Sequence, residues 1–194
     1  MPKVGMEPIR KAALVKATIL EIGRTGSLDV TVSQIAKRAG MSSALAHHYF
    51  GSKEQIFLAA MRHILSLYGA EVRGALAMAE GPRARLTAIL KASFTAVNFR
   101  REVIGAWLNF YVLAQTVPEA KRLLRVYQAR LHTNLVYDLR QIVGDRAEEV
   151  ARGTAAMIDG VYIREALKQQ ATPDGAAAAA MALQYLTLEL DRTE

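Results

Sequence analysis

The 194-residue chain contains no cysteine. Disulfides and thiolate metal sites are therefore excluded, and a reducing compartment, the cytoplasm, is the expected setting. The four histidines, His47, His48, His63 and His132, stand in no metal-ligand spacing such as HExxH, so no metal is expected. A glycine-rich phosphate loop following a strand and a GxSxG nucleophile motif are also missing, which argues against an enzyme and leaves no call for a cofactor. No stretch alternates apolar and polar residues between hairpin turns, so strands are not expected. The longest uncharged run, residues 103–118, includes Asn109, Gln115 and Pro118 and falls short of the roughly 20 apolar residues that span a bilayer. The opening MPKVGMEPIRKAALVKA has no apolar core followed by a small-residue cleavage site, so neither a secretory signal nor a membrane partner is expected.

What is present is an uneven distribution of charge. Up to Lys53 the chain holds 8 Lys and Arg against 3 Asp and Glu, whereas the remainder holds 17 against 15. The basic surplus coincides with TVSQIAKRAGMSSALAHHYFGSK, residues 31–53. Thr31 and Gln34 form a capping box that starts a helix with an apolar face of Ile35, Ala36 and Ala39. Gly40 supplies a left-handed turn, and Ser42 caps a second helix through about His48. Ser52 and Gln55 repeat the capping box and launch a third, long helix with Lys53 in its first turn. Helix pairs with a glycine turn also occur in proteins that touch no nucleic acid, but the localised charge is what a phosphate-binding module carries. Thr31 and Ser33 then face the groove from the first helix of the motif. Ser42, Ser43, Ala44 and His47 begin the recognition helix, where base edges are reached, while His48, Tyr49 and Lys53 are placed for phosphates and Phe50 for anchoring.

Apolar periodicity continues in helical steps on both sides of this motif. Ile9, Ala13, Leu14, Ala17, Leu20 and Ile22 mark a helix over 7–25, with Arg10 and Lys11 near its start free for the DNA backbone. Ile56, Phe57, Ala60, Ile64, Leu67, Tyr68 and Val72 mark one from Lys53 to about 79, and the next is expected over 83–98 after Gly81-Pro82. Residues 102–116 are apolar nearly all round, as in a helix at the centre of a bundle. Pro118 opens another helix that Gly144 ends; Asp145 and Glu148 form an acidic capping box for one through Lys168; and Thr172-Pro173-Asp174 starts the last. The expected fold is all-α with about nine helices, divided into a DNA-binding domain at 1–52 and a ligand-binding and dimerisation domain at 53–194. Apolar and small residues on more than one face of the last two helices, among them Ala156, Ile158, Val161, Ile163, Met181 and Leu186, suit either burial within one subunit or a four-helix interface around a two-fold axis.

The second domain's informative stretch is AWLNFYVLAQ, residues 106–115. Trp107 and Tyr111 share a helix face, with Phe110 beside Trp107; such rings either fill a core or form a box that attracts a cation by about 0.5 to 2 kcal/mol per ring. In MIDGVYIREAL, Asp159 lies in a largely apolar helix with Tyr162 at i+3. A buried carboxylate is costly without a partner, so Asp159 answers a bound cation, pairs with Arg164, or points outward.

AGMSS, HHYF and GSKEQIF, within residues 9–60, resemble the N-terminal domain of the tetracycline-repressor (TetR) family of bacterial transcription regulators. MPKVGM, AWLNFY and IDGVYIREAL extend the likeness to a narrower group of that family, the choline-responsive repressors of glycine-betaine synthesis. The resemblance implies double-stranded operator DNA as a partner, a homodimer paired through the last two helices, and a small quaternary ammonium effector such as choline held by Trp107, Tyr111, Asp159 and Tyr162. A repressor of the same fold answering a hydrophobic or drug-like ligand, an enzyme acting on its ligand, and a nonspecific nucleoid-type protein are the other readings.

Overall fold

Local chemistry sets most of the helix ends. The Thr31 hydroxyl accepts from the Gln34 amide at 3.2 Å while the Gln34 side chain accepts from the Thr31 amide at 2.7 Å, completing the expected capping box. Gly40 follows at φ 68°, a left-handed turn that a side chain would resist. Ser42 and Ser52 each accept from the amide three residues on, at 3.2 Å, and so start the next two helices. The box at Ser52 is only half made, because the Gln55 side chain returns no bond.

A computed structural model describes residues 5–168 and 172–192, so the MPKV opening lies outside the described residues. Among the described residues there are nine α-helices and no strand: α1 (Met6–Thr25), α2 (Val32–Arg38), α3 (Ser43–Phe50), α4 (Lys53–Ala77), α5 (Pro82–Ser93), α6 (Arg101–Thr116), α7 (Pro118–Val143), α8 (Ala147–Ala166) and α9 (Gly175–Asp191), with a 3-10 turn at Gly144–Arg146. Among these residues no helix is long and apolar enough to cross a membrane. Pro82 and Pro118 sit in the first turns of α5 and α7, and Asp174 caps α9 by accepting from Ala177 at 2.9 Å.

The helices α1 to α3 enclose Leu14, Ile22, Val30, Ile35 and Ala46, and the core continues through α4 into the bundle of α5 to α9. Among the described residues the most extensive helix–helix contact joins α1 to α6. It depends on two glycines. A Cβ on Gly23 would lie 2.3 Å from the Glu102 Cα, and one on Gly105 would lie 3.2 Å from the Gly23 Cα, so the two helix backbones touch there. Glu21 adds a second tie. Its side chain is only 6% exposed and accepts from Arg24 at 3.0 Å within α1 and from Arg38 across on α2. Arg85 and the fully buried Asp138 join α5 to α7 at 2.8 Å.

Several expectations need correction. Helix α5 stops at Ser93, not 98, because the chain turns to bury Asn98, whose amide donates to the Ala92 carbonyl at 2.9 Å, and to pack Phe94 and Phe99 on Tyr162. Helix α6 is not apolar-buried all round: Val112 is 58% exposed. Ile9 and Leu67 also face outward. No acidic capping box forms at Asp145; Glu148 instead receives His132 at 2.8 Å and Arg140 at 3.1 Å.

Burial pushes the Glu21 carboxyl up, but the hydrogen bonds and charges of Arg38 and Arg24 outweigh it and hold it below the usual range. A folded-state pKa below the unfolded one means that its stabilisation is complete above the ordinary glutamate range and is lost as pH falls through the depressed value. Glu21→Gln should therefore flatten the acid limb of a stability–pH profile measured by urea denaturation. Glu21→Ala should cost about 1–2 kcal/mol near neutral pH.

Candidate functional site

Two groups of residues stand out. The first is the surface of α2 and α3. Thr31, Ser33, Ser42, Ala44, His47 and His48 are exposed, with Ser43, Tyr49 and Lys53 half-buried beside them. Thr31 and Ser42 already spend hydroxyl lone pairs on their caps, and the Thr31 hydroxyl also donates to the Gln34 side-chain oxygen at 3.0 Å. His47 sits 3.1 Å from the Gly51 carbonyl, and His48 packs against Tyr49 at 5.5 Å. Tyr49 is more occupied than the sequence suggests: its hydroxyl accepts from Arg10 at 3.4 Å and Lys11 lies 6.0 Å from its ring. Arg10 and Lys11 are thus held against α3, Lys11 also pairing with Glu7 at 2.7 Å. Lys53 rests its ammonium 5.3 Å from the Phe57 ring at the first turn of α4. Lys37, which the sequence reading passed over, is exposed on α2 with no ion pair among the described residues.

The second group lies inside the bundle. Tyr68 of α4, Trp107 and Tyr111 of α6, Tyr127 of α7, and Asp159 and Tyr162 of α8 surround one small void with Ser93. Trp107 stacks obliquely on Tyr111 at 5.9 Å and on Tyr127 at 5.0 Å, and Tyr68 meets Tyr127 edge-on at 5.4 Å. The void is about 10 Å³, close to the roughly 10–15 Å³ that one ordered water needs. The Tyr111 hydroxyl donates to Asp159 Oδ1 at 2.8 Å, while the Tyr162 hydroxyl donates to the Ser93 carbonyl. The sequence-predicted Trp107, Tyr111, Asp159 and Tyr162 are therefore brought together. Phe110 is not: it is fully buried in the core, and it does not line the void. Tyr68 and Tyr127 are each the single cage-lining residue on their helices, so nothing in their sequence neighbours reveals the convergence.

Asp159 gives this cluster its charge. Burial raises its carboxyl above the usual range, and the Tyr111 hydrogen bond partly offsets that. Among the described residues no cation pairs with it, Arg164 included. Burial likewise pushes the phenols of Tyr68, Tyr111, Tyr127 and Tyr162 up, so they remain neutral donors. Five aromatic rings and one unpaired carboxylate around a single point make an environment for a cation without acidic protons to donate.

A helix-turn-helix head with an exposed α3, joined to a helical bundle with an internal cage, defines a ligand-responsive DNA-binding regulator. The family model "Bacterial regulatory proteins, tetR family" matches residues 9–60, and the chain belongs to the TetR family. Within it, residues 82–191 match the model "BetI-type transcriptional repressor, C-terminal". The chain is 51% identical to the HTH-type transcriptional regulator BetI of Brucella suis over 98% of this chain and 96% of that protein. It is 50% identical to the regulator of the same name from Rhizobium meliloti over 87% and 83%. In fold it resembles a protein from Saccharomonospora viridis solved in complex with choline, with a TM-score of 0.78, 20% identity, and 94% and 96% of the two chains covered. The chain is thus a TetR-type transcriptional regulator, a class that binds operator DNA, typically as a dimer.

Tyr111→Phe removes the one hydrogen bond that lowers the Asp159 carboxyl. The Asp159 pKa, followed by carboxyl-carbon NMR, should then rise further. An unchanged value would mean that the Tyr111 contact does not bear on the carboxylate.

Proposed function

We propose that the chain is a homodimeric, choline-responsive repressor of genes for glycine-betaine synthesis or choline uptake, acting in the cytoplasm. The observation that carries this reading is the unpaired Asp159 among Tyr68, Trp107, Tyr111, Tyr127 and Tyr162. A trimethylammonium group has no N–H to satisfy, so aromatic faces suit it and a carboxylate balances its charge. The similarity to proteins named BetI, and to a fold solved with choline, supports the same ligand.

Choline exceeds a void of about 10 Å³. Binding therefore has to spread the helices that carry the rings, above all α6 with Trp107 and Tyr111. A ligand shifts an equilibrium only through unequal affinity for its states, and a cage that must open provides that inequality. Because α6 touches α1 at Gly23, and α4 runs from Tyr68 back to Lys53, opening the cage is coupled in this reading to the head formed by α1 to α3. The division at residue 52 then separates a reading head from a sensing body.

On DNA, Thr31, Ser33, Ser42, Ser43, Ala44 and His47 are assigned to the groove, and His48, Tyr49 and Lys53 to phosphates, with the exposed face of α2 and α3 in support. The second copy is assigned to the outer face of α8 and α9. Ile163, Met181 and Leu188 are 44%, 54% and 66% exposed there, alongside Ala156, Ala177 and Ala180. Ile158, Val161 and Leu186 are already buried within the subunit and are not part of that interface.

A bound cation favours the charged form of Asp159, so choline binding releases a proton wherever the free carboxyl is still protonated. Choline affinity, measured by titration calorimetry, should be highest above the raised Asp159 pKa and fall as pH drops through it. Asp159→Asn should weaken binding about tenfold or more near neutral pH and abolish that dependence. Equal affinities for the two proteins would remove Asp159 from the site.

A further inference from the structure

A groove of about 670 Å³ runs along the body between α4 and α7. Tyr68 and Tyr127, which line the cage, line this groove as well, so the edge-on contact between their rings forms a wall common to both spaces. The groove's charge is one-sided. Arg62, Arg73 and Arg130 border it, and among the described residues no carboxylate does. Glu119 pairs with Arg62, but among the described residues Arg73 and Arg130 take no ion pair and both are exposed. Ser66 and Asn134 add hydrogen-bonding groups on the same lining.

A bare cation that approached the cage along this groove would pass two uncompensated guanidinium groups, which oppose it. A ligand carrying its own anion reverses the sign of that interaction. The spacing selects which anion. Arg130 follows Tyr127 by three residues, about 4.5 Å along the helix and on the same side of it. A carboxylate on the carbon next to the nitrogen would stay inside the aromatic shell, whereas a phosphate on a two-carbon arm reaches the groove. Guanidinium groups bind phosphate oxygens through paired, charge-assisted hydrogen bonds.

We infer that the groove is the outer half of the ligand site and takes the phosphate of a quaternary amino-alcohol phosphomonoester, with the trimethylammonium end in the cage and the phosphate on Arg130 and Arg73. This rests on the cage binding a quaternary ammonium. The juxtaposition that carries it is a cation-seeking cage and an unpaired arginine pair on opposite sides of Tyr68 and Tyr127.

Trp107 is the chain's single tryptophan and lines the cage, so its fluorescence reports occupancy there directly. Full-length protein would be titrated with choline and with phosphocholine at fixed ionic strength, as wild type, Arg130→Ala and Arg73→Ala. Both arginines are exposed, and circular dichroism would verify that the variants fold. Phosphocholine should bind the wild type about tenfold more tightly than choline. Arg130→Ala should cost phosphocholine about tenfold and Arg73→Ala a smaller loss of the same sign, with choline changed less than twofold in each. Choline binding while phosphocholine binds more weakly or not at all would overturn the groove's role and leave the cage intact, as would an Arg130→Ala loss equal for both ligands. If neither ligand altered the Trp107 signal, the cage itself would be misread and the groove's assignment would fall with it.

Discussion

The contact between α1 and α6 at Gly23 and Gly105 is the constraint on which the architecture turns. A methyl group on Gly23 would have to occupy the space of the Glu102 backbone, so the crossing admits no ordinary side chain. It binds the first helix of the DNA-reading head directly to the helix that carries Trp107 and Tyr111. From α1 the connection continues by ion pairs and hydrogen bonds: Glu21 holds Arg38 of α2, and Arg10 reaches Tyr49 of α3. Helix α4 supplies a parallel route from Tyr68 to Lys53. Packed helices sharing a backbone contact move as units rather than deform continuously, which is the property a switch between two arrangements needs.

The cage carries the opposite character. Its rings are well packed, yet it keeps one carboxylate whose charge nothing among the described residues answers, and it encloses almost no space. Asp159 is half-buried, and holding a carboxylate there without a cationic partner costs free energy that an apolar residue would not. The tyrosine donor on Asp159 reduces that cost without removing it. A cation bound there, as the proposed function has it, would answer that charge, and its entry into so small a void would part the helices. In the proposed function this couples recognition to movement through α6.

Much of this was legible in the sequence because it is local. Thr31 with Gln34, Ser42, Ser52, Pro82, Pro118 and Asp174 fix helix starts through groups within a few residues of each other, and each end lies where such chemistry puts it. Trp107 with Tyr111, and Asp159 with Tyr162, were legible for the same reason. What the sequence could not disclose depends on distant partners. The end of α5 is set by Tyr162, far along the chain, drawing in Phe94 and Phe99. Tyr68 and Tyr127 join the cage only through the packing of α4 and α7. Phe110 misled because, although three residues from Trp107, it is turned about 100° round the helix from Tyr111 and enters the core, where it is fully buried. Glu148, spaced for a cap, had His132 and Arg140 within reach instead.

The central claim is that the cage and the reading head share one equilibrium. The direct test is calorimetric titration of choline into the full-length protein alone and into its complex with a saturating palindromic duplex, selected by the protein from a random pool. Linkage requires choline affinity to differ between the two, by the same factor by which choline changes affinity for that duplex, about 5- to 150-fold for couplings of this kind. Identical choline affinities in the presence and absence of the duplex would contradict the account.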